Sequence, residues 1–286
     1  MSNTDTAPDH EAWSDRQEET MVSVDGHNVS MAYRDRGEGD AVVFLHGIPT
    51  WSFLWRRITP PLESEFRTVV PDLIGYGTSA SHDGFDRSIR AQEEALADLV
   101  DALSLETFSI VAHDIGGGVA LRYAAHNPER VDKLVLSNAV CYDSWPVQFI
   151  SDLGLPKTAE VDPEEFEAKL DGAFVKGLHG DEEDVDRSFV EGIKAPWLAE
   201  DGRRALARAA VATNTNHTTE IDYEAINADV LCLWGEDDVM QPVEYGERLA
   251  EDLDGEVHRL SDAYHWVVED RPDEYREVCR EFLLAE

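Results

Sequence analysis

Ile110-Val111-Ala112-His113-Asp114-Ile115-Gly116-Gly117-Gly118 is the stretch that decides the fold. Phe108–Ala112 reads as a buried strand, and Ile115–Ala125 as a helix that Asn127-Pro128 stops. Only a sharp turn joins the two. The residue at its apex is thrust outward, and its neighbours must be small because the backbones come close. Ala112 and Gly116 are those small neighbours, and the apex is Asp114. A carboxylate there sits beside a helix N-terminus, which favours its ionised form. A helix-capping aspartate, common in any α/β protein, is the plain alternative. The glycine run also invites a nucleotide-loop reading, but it contains no G-x-G-x-x-G.

Outward from this turn, strands and helices alternate. Ala41–Leu45 is fully apolar, as expected of a strand covered on both faces. Thr68–Val70 is a short strand entering Pro71–Gly77. Ser88–Leu103 has apolar residues at helical spacing. Lys133–Leu136, Val230–Trp234 and Val257–Leu260 read as strands, and Val243–Leu253 and Pro272–Leu284 as helices. The alternation predicts an α/β fold with a doubly wound, mostly parallel sheet. Met21–Asp25 and Val29–Tyr33, split by Gly26, predict a hairpin at its edge. Residues 1–20 are acidic and aperiodic and read as a flexible tail. The core is expected over 21–140 and 220–286. Residues 141–219 break the rhythm with a helical, acidic pattern, which predicts a helical cap over the crevice at the carboxyl ends of the strands.

Three more segments lie at strand ends. His46-Gly47-Ile48-Pro49 follows the first buried strand. A loop there can supply one oxyanion-hole amide, with the residue after the apex supplying the other, so the expected donors are the backbones of Ile48 and Ile115. A simple Gly-Pro turn is the alternative. Pro49 is expected in the cis form, because the turn must aim two amides into one cavity. Leu233-Trp234-Gly235-Glu236-Asp237-Asp238 ends another strand, where an acid can orient a histidine. Asp238 fits the spacing better than Asp237, although either can simply cap the next helix. Ser261-Asp262-Ala263-Tyr264-His265-Trp266 follows the last strand and offers His265 as a base.

These four segments, in the order nucleophile, acid, histidine, resemble the α/β-hydrolase superfamily over residues 21–286. More narrowly, the chain resembles the haloalkane dehalogenase and epoxide hydrolase branch, whose nucleophile is an aspartate. His46 to Arg56, with Pro71-Asp72-Leu73-Ile74-Gly75-Tyr76-Gly77-Thr78-Ser79 and His113-Asp114, carries the likeness. The resemblance implies an α/β-hydrolase fold with a helical cap. It also implies Asp114 as nucleophile, Asp238 as acid and His265 as base. In one dehalogenase subgroup the acid stands where Asn138 stands here, so Asp238 is the acid. The resemblance implies hydrolysis through an ester on Asp114, most simply of a carbon–halogen bond. Epoxide hydrolysis is the alternative, and a non-enzymatic ligand-binding protein on the same fold is a second. The chain departs from the branch at its leaving-group devices. Ile115 replaces a tryptophan after the nucleophile, and Ile48 replaces a loop asparagine. Trp145 or Trp197 can stand for a cap tryptophan. Tyr142 is the one tyrosine in the cap, where epoxide hydrolases use two. No arginine follows Asp114 closely, as the haloacetate type requires. Trp51, Trp145, Trp197 and Asn214 are expected around the pocket.

Composition sets the bounds. The 286 residues carry 24 Lys+Arg against 60 Asp+Glu, a formal net charge of -36. Small soluble domains usually carry roughly 2–8. Such a surface repels phosphate backbones and acidic headgroups, which excludes nucleic-acid and anionic-membrane partners. Few lysines amid many carboxylates resembles proteins of salt-accumulating cytoplasm. Cys141, Cys232 and Cys279 form neither a disulfide framework nor a metal spacing. No signal segment or apolar span is present, so a soluble, cytoplasmic protein is expected, with a small apolar substrate and water as partners and no cofactor or metal. Nothing in the pattern specifies an oligomeric state.

Overall fold

In the computed structural model, which describes residues 7–285, the apolar runs become the middle of one eight-stranded sheet. Its strands are β1 (Glu18–Val24), β2 (His27–Arg36), β3 (Ala41–Leu45), β4 (Arg67–Pro71), β5 (Phe108–His113), β6 (Val131–Ser137), β7 (Asp229–Gly235) and β8 (Glu256–Leu260). Their order is β1-β2-β4-β3-β5-β6-β7-β8. β2 runs against β1 and β4, and the pairs from β4 to β8 are parallel. Every residue of β5 is buried, whereas the edge strand β1 alternates exposed and buried positions. Helices cover both faces of the central strands and only one face of the edge, so continuous apolar runs give way to alternation.

The helices that matter here are α1 (His10–Ser14), α2 (Ile89–Ala102), α3 (Ile115–His126), α4 (Gln148–Leu153), α5 (Pro163–Lys176), α6 (Arg187–Leu198), α7 (Gly202–Val211), α8 (Val243–Asp252) and α9 (Pro272–Leu284). α2 starts where the Ser88 side chain accepts from the Ala91 amide, and it buries Ala95, Leu96, Leu99 and Val100. Between β6 and β7 the chain runs through α4 to α7 and adds no strand among the described residues. No helix among them is long and apolar enough to cross a membrane.

The expected tail over residues 1–20 needs correction. Residues 1–6 lie outside the described part. From there on, the chain is ordered into α1 and β1. β1 is held by pairing with β2, and the main anchor of α1 is one side chain. Trp13 is buried, its Nε1–H donates to Ser52 Oγ at 2.9 Å, and the Arg34 guanidinium lies 3.9 Å over its ring. Burying an indole stabilises by about 4–6 kcal/mol. That is enough to dock a short helix that polar neighbours hide from a periodicity reading. Asp9 caps the helix by accepting from the Ala12 amide at 2.8 Å.

Candidate active site

Four strand ends converge on Asp114. The sharp turn from β5 into α3 holds Asp114 at φ 52°, a left-handed conformation that costs energy in a non-glycine residue. The turn fits only because its neighbours lack side chains. A Cβ on Gly116 would stand 2.6 Å from the carbonyl oxygens of Leu45 and His46, and one on Gly47 would overlap the Asp114 carboxylate. The Ile48 amide donates to Asp114 Oδ1 at 2.7 Å. The Ile48–Pro49 peptide bond is cis. Behind this loop, buried His46 accepts the Leu73 amide at Nε2 (2.9 Å), so its Nδ1–H faces the Gly47 carbonyl. Burial pulls His46 down to about 4, against the pull of nearby Asp72, so the ring stays neutral.

His265 leaves the turn after β8. Its Nδ1 lies 2.8 Å from Asp238 Oδ2, and its Nε2 lies 3.8 Å from Asp114 Oδ2. The second distance is too long for a direct hydrogen bond. Of the two aspartates after β7, Asp238 is buried against His265 and Asp237 is exposed. The Asn138 side chain donates to Asp238 Oδ2 at 2.5 Å, and the Met240 amide donates to Oδ1 at 2.7 Å. Sequence reasoning set Asn138 aside as an acid and missed this role. Its place at the end of β6, level with the other strand-end residues, is the signal that points to it.

The charges bias one another. Burial disfavours the charge on His265, but the Asp238 and Asp114 carboxylates outweigh it and hold the ring above its ordinary value. Burial likewise opposes the charge on Asp238, yet His265 and the hydrogen bonds hold it below the usual range. Asp114 is pushed up by burial, with His265 and the Ile115 and Ile48 amides pulling the other way. His113 packs 4.8 Å from the His265 ring, centroid to centroid. Burial and the charge on His265 keep it well below its ordinary value, and so neutral.

A tight, mostly apolar cavity opens over Asp114 and His265. It has room for about one or two waters, and its walls include Ile48 and Pro49 from the core and Val147, Phe149, Ile150 and Phe174 from the stretch between β6 and β7. Trp266 and Gln241, which sequence reasoning did not assign to the pocket, line it too. The four residues expected there do not. Trp51 donates its Nε1–H to the Gly192 carbonyl at 3.0 Å, and Trp197 donates to the Pro49 carbonyl at 2.6 Å. Both fasten α6 to the loop after β3. Trp145 is buried outside the cavity walls, and its carbonyl accepts from Thr215 Oγ1 at 2.6 Å. Asn214 Oδ1 accepts the Asn216 amide at 3.0 Å, which caps a short turn. For Trp51 and Trp197 the partner of the indole N–H decides the place of the ring, and a sequence pattern does not show that partner. Tyr142 is also committed elsewhere, its hydroxyl donating to Asp252 Oδ2 at 2.6 Å. Among the described residues, no cluster of His, Cys, Asp or Glu is placed to hold a metal ion.

Comparison with known proteins agrees with this fold. The family described as "alpha/beta hydrolase fold" matches residues 40–272. The chain is 28% identical over 251 residues to "Haloalkane dehalogenase 2" of Mycobacterium tuberculosis, covering 84% of this chain and 87% of that protein. It is 26% identical over 266 residues to a 2-hydroxy-6-oxo-6-phenylhexa-2,4-dienoate hydrolase of Comamonas testosteroni, covering 88% and 90%. An alpha/beta hydrolase fold protein from Burkholderia ambifaria superposes with a TM-score of 0.83 at 26% identity, covering 92% of this chain and 97% of that one.

Proposed function

Because the chain belongs to the α/β-hydrolase fold family, we propose that it is an enzyme of that family which hydrolyses bonds at saturated carbon through an ester on Asp114, in the manner of a haloalkane dehalogenase. One observation carries this reading. The apex of the turn bears a carboxylate with one oxygen on the Ile48 amide and the other facing His265 across 3.8 Å. A carboxylate attacking an ordinary ester would form a reactive anhydride, whereas attack on saturated carbon forms a stable ester.

The steps follow from the positions. Asp114 Oδ2 attacks the substrate carbon, the carbon–halogen bond breaks, and the halide leaves with the electron pair. A water then occupies the gap between His265 Nε2 and the ester. His265, oriented by Asp238, takes its proton while its oxygen bonds to the ester carbonyl carbon. The Ile48 and Ile115 amides stabilise the resulting oxyanion. The bond from the Asp114 acyl carbon to the alkoxyl oxygen breaks. The alcohol departs with the proton from His265, and Asp114, left as a carboxylic acid, loses the second proton of the water to solvent and is restored as the carboxylate. The apolar walls keep bulk water away from the ester.

The name of the M. tuberculosis relative, a haloalkane dehalogenase, supports the halide as leaving group. Epoxide opening has less support, since no tyrosine among the described residues lines the cavity and the Tyr142 hydroxyl is bound to Asp252. The test is a trap. In His265→Gln, incubation with a short bromoalkane is expected to raise the mass of the peptide containing Asp114 by one alkyl group, with one equivalent of bromide released. The wild type, turning over in heavy-oxygen water, is expected to carry label in the Asp114 carboxylate. An unmodified Asp114 in both experiments overturns the ester. Diol formation from an epoxide with no bromide release replaces the halide reading.

A further inference from the structure

The cavity holds one polar side chain that the chemistry above leaves unused. Gln241 lines the cavity together with Asp114 and His265. The residue is only 1% exposed, and its Oε1 is buried with no hydrogen-bond partner among the described residues. Its backbone carbonyl accepts the Trp234 Nε1–H at 2.8 Å, which fixes the residue in place. A buried amide left unpaired is destabilising, and an orphan of this kind calls for a partner. The walls do not provide one. They are largely Ile, Val, Phe and Pro, and the Trp266 indole N–H is committed to the Phe174 carbonyl at 3.1 Å.

We propose that Gln241 binds a hydroxyl group carried by the substrate, so that the preferred substrates are short hydroxylated halides rather than plain haloalkanes. A hydroxyl both donates and accepts, so it matches either end of the carboxamide. The cavity as it stands is smaller than bromopropanol, so its walls must part to admit a substrate, which favours the shortest chains. A plain haloalkane would leave the amide unpaired in an apolar space, and pockets built around a hydrogen bond discriminate strongly against analogues that lack it. The identity of the reacting bond rests on the ester reading above, whereas recognition of the hydroxyl does not.

The experiment compares terminal bromopropanol with terminal bromopropane in the wild type, Gln241→Leu and Gln241→Glu. The wild type is expected to favour the hydroxylated member in kcat/KM by about 10–100-fold. Gln241→Leu is expected to bring that ratio within about twofold, and Gln241→Glu, which keeps a polar group of the same shape, to retain most of it. Because the ratio is taken within each variant, a general loss of folded protein does not alter it. Calorimetric titration of the wild type with propanediol and propanol gives the same comparison without chemistry. Selective diol binding with no turnover of either bromide keeps this assignment and breaks the ester reading. Turnover without preference, or a preference intact in Gln241→Leu, overturns the assignment.

Discussion

The strand-end turns and the helices above them meet across one cavity, but they are held in different ways. At the turns, backbone packs on backbone. The β5–α3 turn closes against the Leu45 and His46 carbonyls, and the Ile48 amide grips Asp114. The helical stretch rests on single contacts. Trp51 reaches Gly192, Trp197 reaches Pro49, Trp266 reaches Phe174, and the His265 and Trp266 amides both donate to the Gly177 carbonyl at 3.1 Å. Buried Arg56, paired with Glu269 at 2.6 Å on the core side, reaches across the same boundary to Asp186 at 3.3 Å. The difference teaches where change is tolerated. Asp114 and the turns around it are closely packed, while the cavity walls hang on side chains that substitution can alter one at a time.

The largest effect is expected at Asp238. In Asp238→Asn, kcat is expected to fall by roughly 10³–10⁴-fold. Its acid limb should move to lower pH, since the carboxylate that raises His265 is gone. In the wild type, activity is expected to drop as pH falls through a His265 value above 6.5, because the base must be neutral. Stability runs the other way. The charged His265 contributes fully below 6.5, and that contribution is lost as pH rises through the raised value. A pH–rate profile of both proteins checks this, and an unmoved acid limb refutes the role of Asp238.

Gly47→Ala comes next. Its Cβ would displace the Asp114 carboxylate, and a misplacement of about 1 Å costs about 10²-fold in kcat. Near-normal kinetics would show that the turns are less rigid than described. Trp197→Phe acts on the other side of the cavity. It removes the bond to the Pro49 carbonyl, worth about 1 kcal/mol, and lowers Tm by about 2–4 °C. Activity is expected to stay within about tenfold. A loss as deep as that of Gly47→Ala would erase the distinction between the two regions. Salt gives the smallest effect on chemistry. The net charge of -36 is spread over the surface, so molar KCl is expected to raise Tm by screening self-repulsion. The position of the pH–rate limb, set inside the buried site, should barely move. Equal melting in low and molar salt would break the link between the acidic surface and a salty milieu.

Much of the scaffold was legible because the central strands are buried on both faces. Ala41–Leu45 and Phe108–Ala112 are apolar without interruption, and the structure starts and stops them within a residue of expectation. α1 was not legible, because one tryptophan in a polar segment has no period. Asp114, Asp238 and His265 stood out through their places at strand ends, and the fold brings all three together. The pocket was the least legible part. Trp51 and Trp197 look like wall residues in sequence, yet the direction of an indole N–H decides their place.

The alternation of strands and helices, the carboxylate at the sharp turn and the order of the residues that follow it are written in the chain itself. Each depends on local rules, such as apolar runs, small residues at close approaches and breaks at turns. Only the tertiary structure decided that Asn138 braces Asp238, that the tryptophans fasten rather than line, and that Gln241 stands unpaired in the cavity. Those facts depend on which groups from distant parts of the chain share one buried space, and neither spacing nor composition encodes that.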